Sequence, residues 1–469
     1  MSDNSTQATA MNCQLTPKTL LPTLEHLLSS RDADGMPKPQ SATFIWGSMG
    51  VGKSDIVKTI AELWDCRVVA LHLPQFDPTD LKGIPINTHG SVKWVPSSYL
   101  PQFVEQRIFE NMEEVKFDFC FPNARSVAVH VLDEKGEEVV RVNDQMNGNV
   151  NELNAKVHVN TTNMSQGRVH IQADLKTGYV VRIIDKSILF LDELSAAVPD
   201  VQNAALQLCL DRRVGEYDVP PYVPIVAAGN RESDAAFVSP MSAPLANRFC
   251  HLRLTHSLED WVEWALVTRV HPTIVGYLQW RKNNLFKFDE ASQVEGDLGF
   301  PTPRSWAKLS GQMKSQAFKA LPMPVQNAII SGYIGNAVAK DFIDYRKVCE
   351  LLPSIDDILQ GKKPTIRDDL GIGEKYGLAS SLCYGIKEYY DRFYDETIDS
   401  KRQDDQCDEW KTASEEFCKF IDEYLGKEMT MMCINMVATH LGISMKRFRN
   451  NQYFNNFAGK YRRLMHKVI

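Results

Sequence analysis

The sequence lacks several features that would point to particular classes of protein. Its ten cysteines are scattered, and no two of them are spaced as C-x-x-C. This spacing argues against a zinc site or a disulfide framework and favours a reducing compartment. No apolar run approaches the ~20 residues that a membrane-spanning helix needs. The polar start of the chain has neither the basic flank nor the apolar core of a signal peptide. These absences predict a soluble, cytoplasmic protein without a membrane partner.

A strong charge of one sign is also missing. The chain has 52 basic and 59 acidic residues, a formal net charge of −7 and a pI near 5.9. Such a balance gives no overall attraction to nucleic acid or to an anionic membrane. The composition is otherwise ordinary, with 43% hydrophobic residues in a chain of 469. About two to four structural units are expected for this length.

The sequence does contain a complete phosphate-binding loop. Residues 47–54 read Gly-Ser-Met-Gly-Val-Gly-Lys-Ser and match the pattern G-x-x-x-x-G-K-[ST]. In such a loop backbone N–H groups surround the phosphates, the lysine reaches the β- and γ-phosphates, and the hydroxyl ligates Mg²⁺. Residues 42–46 are typical of a buried strand, and residues 55–64 of a helix whose N-terminus faces the phosphates. The residues predicted to bind the nucleotide are Gly47, Ser48, Met49, Gly50, Val51, Gly52, Lys53 and Ser54.

An acidic pair follows a second apolar run. Residues 188–191 predict a buried parallel strand, and Asp192 and Glu193 stand at its carboxyl end. Ligands of open α/β sheets bind at that edge. We therefore predict that Asp192 joins Ser54 in holding Mg²⁺, and that Glu193 polarises the water that attacks the γ-phosphate.

Three further polar residues follow predicted elements. Asn230 ends an apolar strand, where its amide could orient the attacking water, although a turn-capping asparagine is the alternative. Arg248 follows a short helix, and Arg304 lies in the first turn of a helix that begins near Thr302. A guanidinium suits a charged transition state because it stays ionised and donates two parallel hydrogen bonds. Taken singly, each arginine is more often part of a surface ion pair.

The pattern along the chain predicts an α/β core that is interrupted by strands and followed by helices. Residues 1–15 are predicted to be disordered, and residues 16–254 to form a core with a parallel sheet and helices on both faces. A β-rich insertion with two hairpins is predicted at about 104–184. It is either a surface elaboration or a module that binds a partner or substrate. A helical lid at 255–365 and a helical C-terminal extension at 366–469 are expected to follow.

Two charged segments lie in the last quarter of the sequence. Residues 387–428 hold 14 acidic and 7 basic side chains, which is typical of a solvated helical face or an acidic loop. Residues 441–469 hold seven basic and no acidic residues, interleaved with aromatics. Such a segment can bind a nucleic-acid backbone and stack bases. The favoured alternative is a terminal helix that packs its aromatic side chains inward.

In this order the motifs resemble those of AAA+ ATPases. The phosphate loop resembles Walker A, and Leu191-Asp192-Glu193 resembles Walker B. Asn230 corresponds to sensor 1, Asn247-Arg248-Phe249 to the arginine finger and Pro303-Arg304 to sensor 2. Residues 75–85, 210–217, 301–306 and 332–339, the last of them in a lid-region helix, are similar to the MoxR-like branch of that family. The resemblance covers about residues 16–345, except for the insertion.

The resemblance implies a ring of protomers, commonly a hexamer, with ATP and Mg²⁺ between neighbours. Arg248 would reach into the site of the next protomer, Arg304 would contact the nucleotide of its own protomer, and Arg212 or Arg213 would add an interface contact. MoxR-like ATPases act like chaperones on partner proteins, often ones with a von Willebrand A domain. Trp94 would lie on a hairpin that could face the ring pore, although an ordinary buried tryptophan is as plausible.

One residue departs from the family pattern, and two other functions stay open. Met49 stands where many relatives have proline, which leaves phosphate binding intact but puts the rigidity of the loop in doubt. A nucleic-acid motor or loader is the first alternative, and the basic aromatic C-terminus motivates it. A scaffold that uses ATP for assembly with little hydrolysis is the second.

Overall fold

The chain divides into two compact units, Met1–Thr255 (unit 1) and His256–Ile469 (unit 2). The structure is a computed structural model. It describes residues 14–29, 42–88, 91–95, 100–118, 127–135, 138–143, 150–152, 155–163, 168–175, 177–220, 223–231, 241–288, 297–363, 370–393, 408–448 and 451–460. In this described part, no helix has both the length and the apolar character needed to cross a membrane.

Unit 1 combines a parallel sheet, several antiparallel strands and a small number of helices. Its strands are β1 Gln14–Leu15, β2 Ala42–Trp46, β3 Arg67–His72, β4 Ile84–Thr88, β5 Ser91–Val95, β6 Phe103–Arg107, β7 Met112–Asp118, β8 Val127–Leu132, β9 Glu138–Asn143, β10 Val150–Glu152, β11 Ala155–Asn163, β12 Arg168–Leu175, β13 Val180–Asp185, β14 Ser187–Asp192, β15 Arg213–Val214, β16 Tyr217–Asp218, β17 Ile225–Gly229 and β18 Phe249–Leu254. Its α-helices are α1 Pro17–Ser29, α2 Lys53–Leu63, α3 Pro78–Lys82, α4 Pro199–Asp211 and α5 Ala243–Ala246, with short 3₁₀ turns at Leu73–Gln75 and Leu194–Ala196.

The core of unit 1 is a six-stranded parallel sheet in the order β1-β18-β2-β17-β14-β3. All six residues of β14 are buried. Ile188 and Phe190 join the cluster that includes Leu24 of α1, whereas Leu189 joins the cluster that includes Val201 of α4. Both faces of the sheet are therefore covered by helices, which explains why its strands read as continuous apolar runs. The predicted α/β core with a parallel sheet is confirmed.

The first strand corrects the prediction for the start of the chain. Disorder was expected through residue 15, but Gln14 and Leu15 pair in parallel with Arg253 and Leu254 of β18. The edge strand β18 offers unpaired backbone groups, and pairing satisfies them. Residues 1–13 lie outside the described part of the chain.

The β-rich insertion forms antiparallel strands, as predicted. One sheet has the order β6-β13-β8-β9, and another the order β10-β11-β12-β7. The expected hairpins correspond to the antiparallel pairs β8–β9 and β11–β12. A buried ion pair joins this region to the core, because Nε and Nη2 of Arg67 in β3 both donate to the Asp185 carboxylate of β13. Asp185 is 1% exposed, so this pair fixes the last insertion strand beside the parallel sheet.

Unit 2 is helical. Its α-helices are α6 Leu258–Val267, α7 Pro272–Trp280, α8 Pro303–Lys314, α9 Gln316–Lys319, α10 Met323–Ile334, α11 Asn336–Cys349, α12 Ile355–Leu359, α13 Ile372–Phe393, α14 Asp408–Phe420, α15 Lys427–Asn435 and α16 Gln452–Lys460. Short 3₁₀ turns lie at Lys282–Asn284 and Met445–Phe448, and π-helical segments at Ile421–Leu425 and Met436–His440. Residues 332–339, which resemble one lid-region helix, span the junction of α10 and α11.

A single hydrophobic core extends through unit 2. It includes Tyr277, Trp306 and Phe342, whose ring centroids lie 5.2–5.7 Å apart, and it continues to Trp410 and Phe448. The long helix α13 packs against α7 and also against α14 and α15. The predicted lid and the predicted C-terminal extension therefore share one core, and residue 365 does not separate two cores.

Candidate functional site

The phosphate loop connects β2 to the N-terminus of α2, as predicted. Gly52 has a φ of +94°, and a Cβ atom built on it would meet nothing within 4 Å. The left-handed backbone therefore favours glycine here, and the space beside it is open. The N–H of Gly47 donates to the carbonyl of Gly229 at 3.2 Å, which ties the start of the loop to β17. The helix that follows directs its free N–H groups and positive dipole end toward the loop.

Lys53 and Asn230 meet although 177 positions separate them in the sequence. Lys53 Nζ donates to Asn230 Oδ1 at 2.8 Å and also to the carbonyls of Gly47 and Ser48. The contact follows from the sheet order, because β2 and β17 are adjacent and parallel, and their carboxyl ends meet at one edge. The structure thus places the loop lysine and the strand-end asparagine where both can touch the same group.

Ser54 and Asp192 form the second contact of the site. Ser54 Oγ donates to Asp192 Oδ2 at 3.3 Å. The other carboxylate oxygen, Oδ1, accepts from the N–H of Glu193 at 3.1 Å. His72 at the end of β3 brings its Nδ1 within 3.4 Å of Asp192 Oδ2. A hydroxyl and a buried carboxylate side by side are oxygen ligands of the kind that Mg²⁺ prefers.

Glu193 projects from the end of the sheet rather than packing against it. Its backbone is left-handed, with a φ of +56° and a ψ of +32°, and the residue is exposed. Such a backbone is uncommon outside glycine and asparagine, and it turns the chain sharply after Asp192. Among the residues that the structure describes, none forms an ion pair or hydrogen bond with its carboxylate. The carboxylate next to Asp192 is therefore available to a water or a substrate.

Ser195 and Gly229 support the site and were missed in the sequence. Ser195 Oγ accepts from the N–H of Asn230 at 3.1 Å and lies 3.3 Å from its carbonyl, to which it donates. A Cβ atom on Gly229 would lie 2.5 Å from Ser195 Oγ and 2.8 Å from Phe44 Cζ. The glycine thus permits the close approach that lets Ser195 hold the backbone of Asn230. No sequence motif marks Ser195, whereas His72 could have been found as the strand end beside Asp192.

The two predicted catalytic arginines lie in different units. Arg248 stands between α5 and β18 in unit 1 and is exposed. Arg304 is the second residue of α8 in unit 2, where Thr302 caps the helix by accepting from the N–H of Ser305 at 3.0 Å. Arg304 is exposed too. Within the described ranges neither guanidinium has a hydrogen bond or an ion pair. The site in unit 1 brings together the loop, Asp192 and Asn230. In the part of the chain that the structure describes, neither arginine is held by a surface ion pair.

The pair of arginines after α4 divides into one internal and one exposed residue. Arg212 donates through Nη2 to the carbonyls of Pro220 and Val223, so its side chain closes the loop before β17. Arg213 is half exposed and lies 3.4 Å from Asp218 Oδ1. Of the two, Arg213 is the one that a neighbouring molecule could reach.

The residues present fit a nucleotide triphosphate with Mg²⁺. Phosphate oxygens can be accommodated in the open space beside Gly52 and bound by the N-terminus of α2 and the amine of Lys53. No cluster of three or more His, Cys, Asp or Glu side chains suitable for a metal occurs in the described ranges. A magnesium ion at this edge would therefore rely on Ser54, Asp192, phosphate oxygens and water, the arrangement that is usual for Mg²⁺ at phosphate sites.

Comparisons with known proteins give weak likenesses only. Neither a protein-family model nor a curated protein matches the chain. Among solved structures, a point mutant of RuvB from Thermotoga maritima is 12% identical over 95% of this chain and 89% of that chain, with a TM-score of 0.27. A candidate ATPase from Cytophaga hutchinsonii is 11% identical over 71% and 74%, with a TM-score of 0.24. An MCM homolog from Methanopyrus kandleri is 12% identical, covers 62% of this chain and 52% of that chain, and has a TM-score of 0.21. At these TM-scores the likenesses say nothing about function.

Proposed function

We propose that this chain is an AAA+ ATPase of the MoxR-like branch, which hydrolyses ATP with Mg²⁺ between neighbouring protomers of a ring and remodels a protein partner. The observation that carries the proposal is the meeting of Lys53 with Asn230 and of Ser54 with Asp192 at one edge of the parallel sheet. Four polar side chains from three separate segments converge there. Motifs that matched the sequence pattern only by chance would not be expected to bring these side chains together in space.

The chain's own residues supply distinct parts of the proposed ATP site. The backbone N–H groups of residues 47–54 and the Lys53 amine bind phosphate oxygens, and this neutralises part of their charge. Ser54 and Asp192 would hold Mg²⁺, which when bound draws charge from the phosphate oxygens. His72 lies beside these residues, with its Nδ1 3.4 Å from Asp192 Oδ2. Asn230, fixed by Ser195, orients the water or the γ-phosphate.

Glu193 is the proposed general base. Its carboxylate takes a proton from water while the water oxygen attacks the γ-phosphorus, and the bond to the β-phosphate oxygen breaks to release ADP and phosphate. Glu193 follows Asp192 directly with a left-handed backbone, and the residue is exposed. Two neighbouring carboxylates thereby serve two roles, one for the metal and one for the water.

The proposed arginines complete the site. Arg248, exposed just before β18, would reach the γ-phosphate bound by the next protomer, and Arg304 would contact the nucleotide of its own protomer. An arginine finger of this kind stabilises transition-state charge and contributes ~10³–10⁵-fold to kcat in other phosphoryl-transfer enzymes. A hexameric ring is the assembly that we propose, with Arg213 as a further interface contact.

The hairpin β4–β5 is the proposed contact for the protein partner. Ile84 and Val92 are 71% and 63% exposed, and Trp94 in the same hairpin is half buried. Exposed apolar side chains on a two-stranded ribbon suit a transient hold on an unfolded or remodelled segment. We propose that the partner carries a von Willebrand A domain, on the strength of the sequence resemblance.

The two alternative functions have less support. A nucleic-acid motor was motivated by the aromatic residues among the C-terminal basic side chains, but Phe448 and Phe454 are buried and pack together with centroids 5.5 Å apart. They cannot stack on bases in that position. Phe457 and Lys460 belong to α16, and residues 461–469 lie outside the described part. A scaffold without hydrolysis would not need the carboxylate of Glu193.

Turnover by the Glu193→Gln variant tests the proposal. We expect the variant to bind ATP with wild-type affinity and to lose nearly all hydrolysis, whereas Lys53→Ala weakens ATP binding. Glu62→Gln, an exposed substitution on α2, is the matched control and should leave both unchanged. Nucleotide affinity is measured with a fluorescent ATP analogue and turnover by phosphate release. Wild-type turnover in Glu193→Gln would refute the role of the general base, and the same variant can be used to trap the partner protein.

A further inference from the structure

His251 connects the strand before the phosphate loop to the turn that carries Arg248. It is the third residue of β18 and pairs in register with Phe44 of β2. Its Nδ1 accepts from the indole Nε1 of Trp46 at 2.8 Å, and its Nε2 lies 2.7 Å from the carbonyl of Ala246. Because Nδ1 accepts, the ring proton resides on Nε2 and is donated to that carbonyl. Both nitrogens of the imidazole are therefore used.

The two partners of His251 stand next to residues of the proposed ATPase site. Trp46 is the last residue of β2 and directly precedes Gly47, where the loop begins. Ala246 ends the four-residue helix α5 and stands two positions before Arg248. The last carbonyls of a helix have no partner within it, and the hydrogen bond from His251 satisfies one of them. The imidazole thus ties the turn before Arg248 to the strand before the loop.

Aromatic packing restricts the orientation of the His251 ring. The ring centroid lies 6.0 Å from that of Trp46, and the two planes are 24° apart. Trp46 in turn stacks on Phe44 with centroids 4.2 Å apart, and Phe249 packs edge-on against Phe44 at 5.3 Å. Alternation along β2 and β18 brings all four side chains to the same face of the sheet. Phenylalanine in place of His251 would keep this packing and remove the two hydrogen bonds.

We propose that His251 is a positioning residue for Arg248, an inference that rests on the proposed function of Arg248 as the arginine finger. The N–H of Arg248 donates to the carbonyl of Leu245 at 3.1 Å, so the turn moves together with α5. Within the described ranges the guanidinium has no hydrogen bond or ion pair, so the backbone of this turn determines where the side chain starts. His251 holds that backbone against β2. A misplacement of about 1 Å can cost up to ~10²-fold in rate.

The first test compares kcat and ATP affinity of the full-length His251→Phe variant with those of the wild type. We expect kcat to fall about 10- to 100-fold and the affinity for a fluorescent ATP analogue to change by less than about twofold. His251→Gln, whose amide keeps one donor and one acceptor, should retain more of the wild-type kcat. Cys250→Ala, half-buried on the opposite face of the same strand, is the matched control and should turn over like wild type. Wild-type kcat in His251→Phe, or a loss of ATP affinity as large as the loss of kcat, would overturn the proposal.

The second test asks in which protomer the defect is felt. Because Arg248 would serve the next protomer, a mixture of His251→Phe with Glu193→Gln should recover after subunit exchange. About a quarter of the interfaces then join an intact Glu193 to an intact His251, so we expect roughly a quarter of wild-type turnover. A histidine that only supported the phosphate loop of its own protomer would give no such recovery.

The outcomes separate this inference from the proposed function. Recovery when Arg248→Ala is mixed with Glu193→Gln, without recovery for His251→Phe, overturns the role of His251 and leaves the proposed function standing. Failure of both mixtures, with exchange verified, refutes the shared site itself. Trp46→Phe removes the indole N–H that His251 accepts, and it should lower kcat and recover in the same mixture. Wild-type kcat in Trp46→Phe overturns the proposal even when His251→Phe fails to fold.

Discussion

The Ser195→Ala substitution tests whether the orientation of Asn230 matters for catalysis, because it leaves the Asn230 side chain itself unchanged. The hydroxyl makes two hydrogen bonds to the backbone of Asn230, at 3.1 and 3.3 Å, and the serine is 1% exposed. At ~0.5–1.5 kcal/mol for each bond, Ser195→Ala should lower the free energy of unfolding by ~1–3 kcal/mol. Asn230 would keep its side chain but lose the two hydrogen bonds that hold its backbone. A misplacement of about 1 Å can cost up to ~10²-fold in rate, so we expect a kcat loss of roughly that size with ATP affinity nearly unchanged.

The assay for this prediction compares turnover, ATP affinity and urea unfolding of Ser195→Ala with those of Ser187→Ala. Ser187 is also buried and also donates to a backbone carbonyl, that of Asp185 at 3.2 Å, but it stands at the opposite end of β14. The control should lose ~1 kcal/mol of stability and no activity. If both variants lose stability and both retain wild-type kcat, then Ser195 is a packing residue and its role in positioning Asn230 is refuted.

Two further predictions concern stability. Arg67→Met leaves the Asp185 carboxylate, whose pKa burial already raises, without its partner at 1% exposure, and should cost ~3–5 kcal/mol in urea unfolding. Adding Asp185→Leu should recover most of that loss, and no recovery would contradict the ion-pair account. Burial lowers the pKa of His271 from 6.5 to about 4 in the folded protein, so the unfolded chain binds a proton on this imidazole more tightly than the folded chain does. Stability from His271 is present above pH ~6.5 and is lost as the pH falls toward 4, by up to ~3 kcal/mol. Unfolding of His271→Gln should lack this part of the pH dependence, and an unchanged acid slope would contradict it.

The sequence predicted the strands of the parallel sheet better than the contacts that other segments of the chain make with them. Apolar runs such as residues 188–191 identify buried strands because both faces of the sheet are covered, and the polar residues that follow them identify its carboxyl edge. Asp192 and Asn230 could therefore be placed from the pattern alone. His72 could have been placed by the same rule, since it pairs with Asp192 in the adjacent strand. The spacing of the loop motif likewise identified Lys53 and Ser54 as residues of the predicted nucleotide site.

Contacts between distant segments could not be predicted from the pattern. The closeness of Ser195 to Asn230 depends on the missing Cβ of Gly229, and a lone serine near a strand end gives no signal of that. The pairing of Gln14 and Leu15 with β18 depends on which edge of the sheet is left open. The two predicted helical segments of unit 2 share one core because α13 packs against α7, a contact between residues about 100 positions apart.

The central claim is that Arg248 of one protomer completes the site that contains Glu193 of another. Mixing the Glu193→Gln and Arg248→Ala variants in equal amounts tests it most directly, after subunit exchange and with phosphate release as the readout. Each variant alone should be nearly inactive. In a mixed ring about a quarter of the interfaces join an intact Glu193 to an intact Arg248, so the account predicts recovery to roughly a quarter of wild-type turnover. A mixture no more active than the mean of the two variants, with exchange verified, would contradict it.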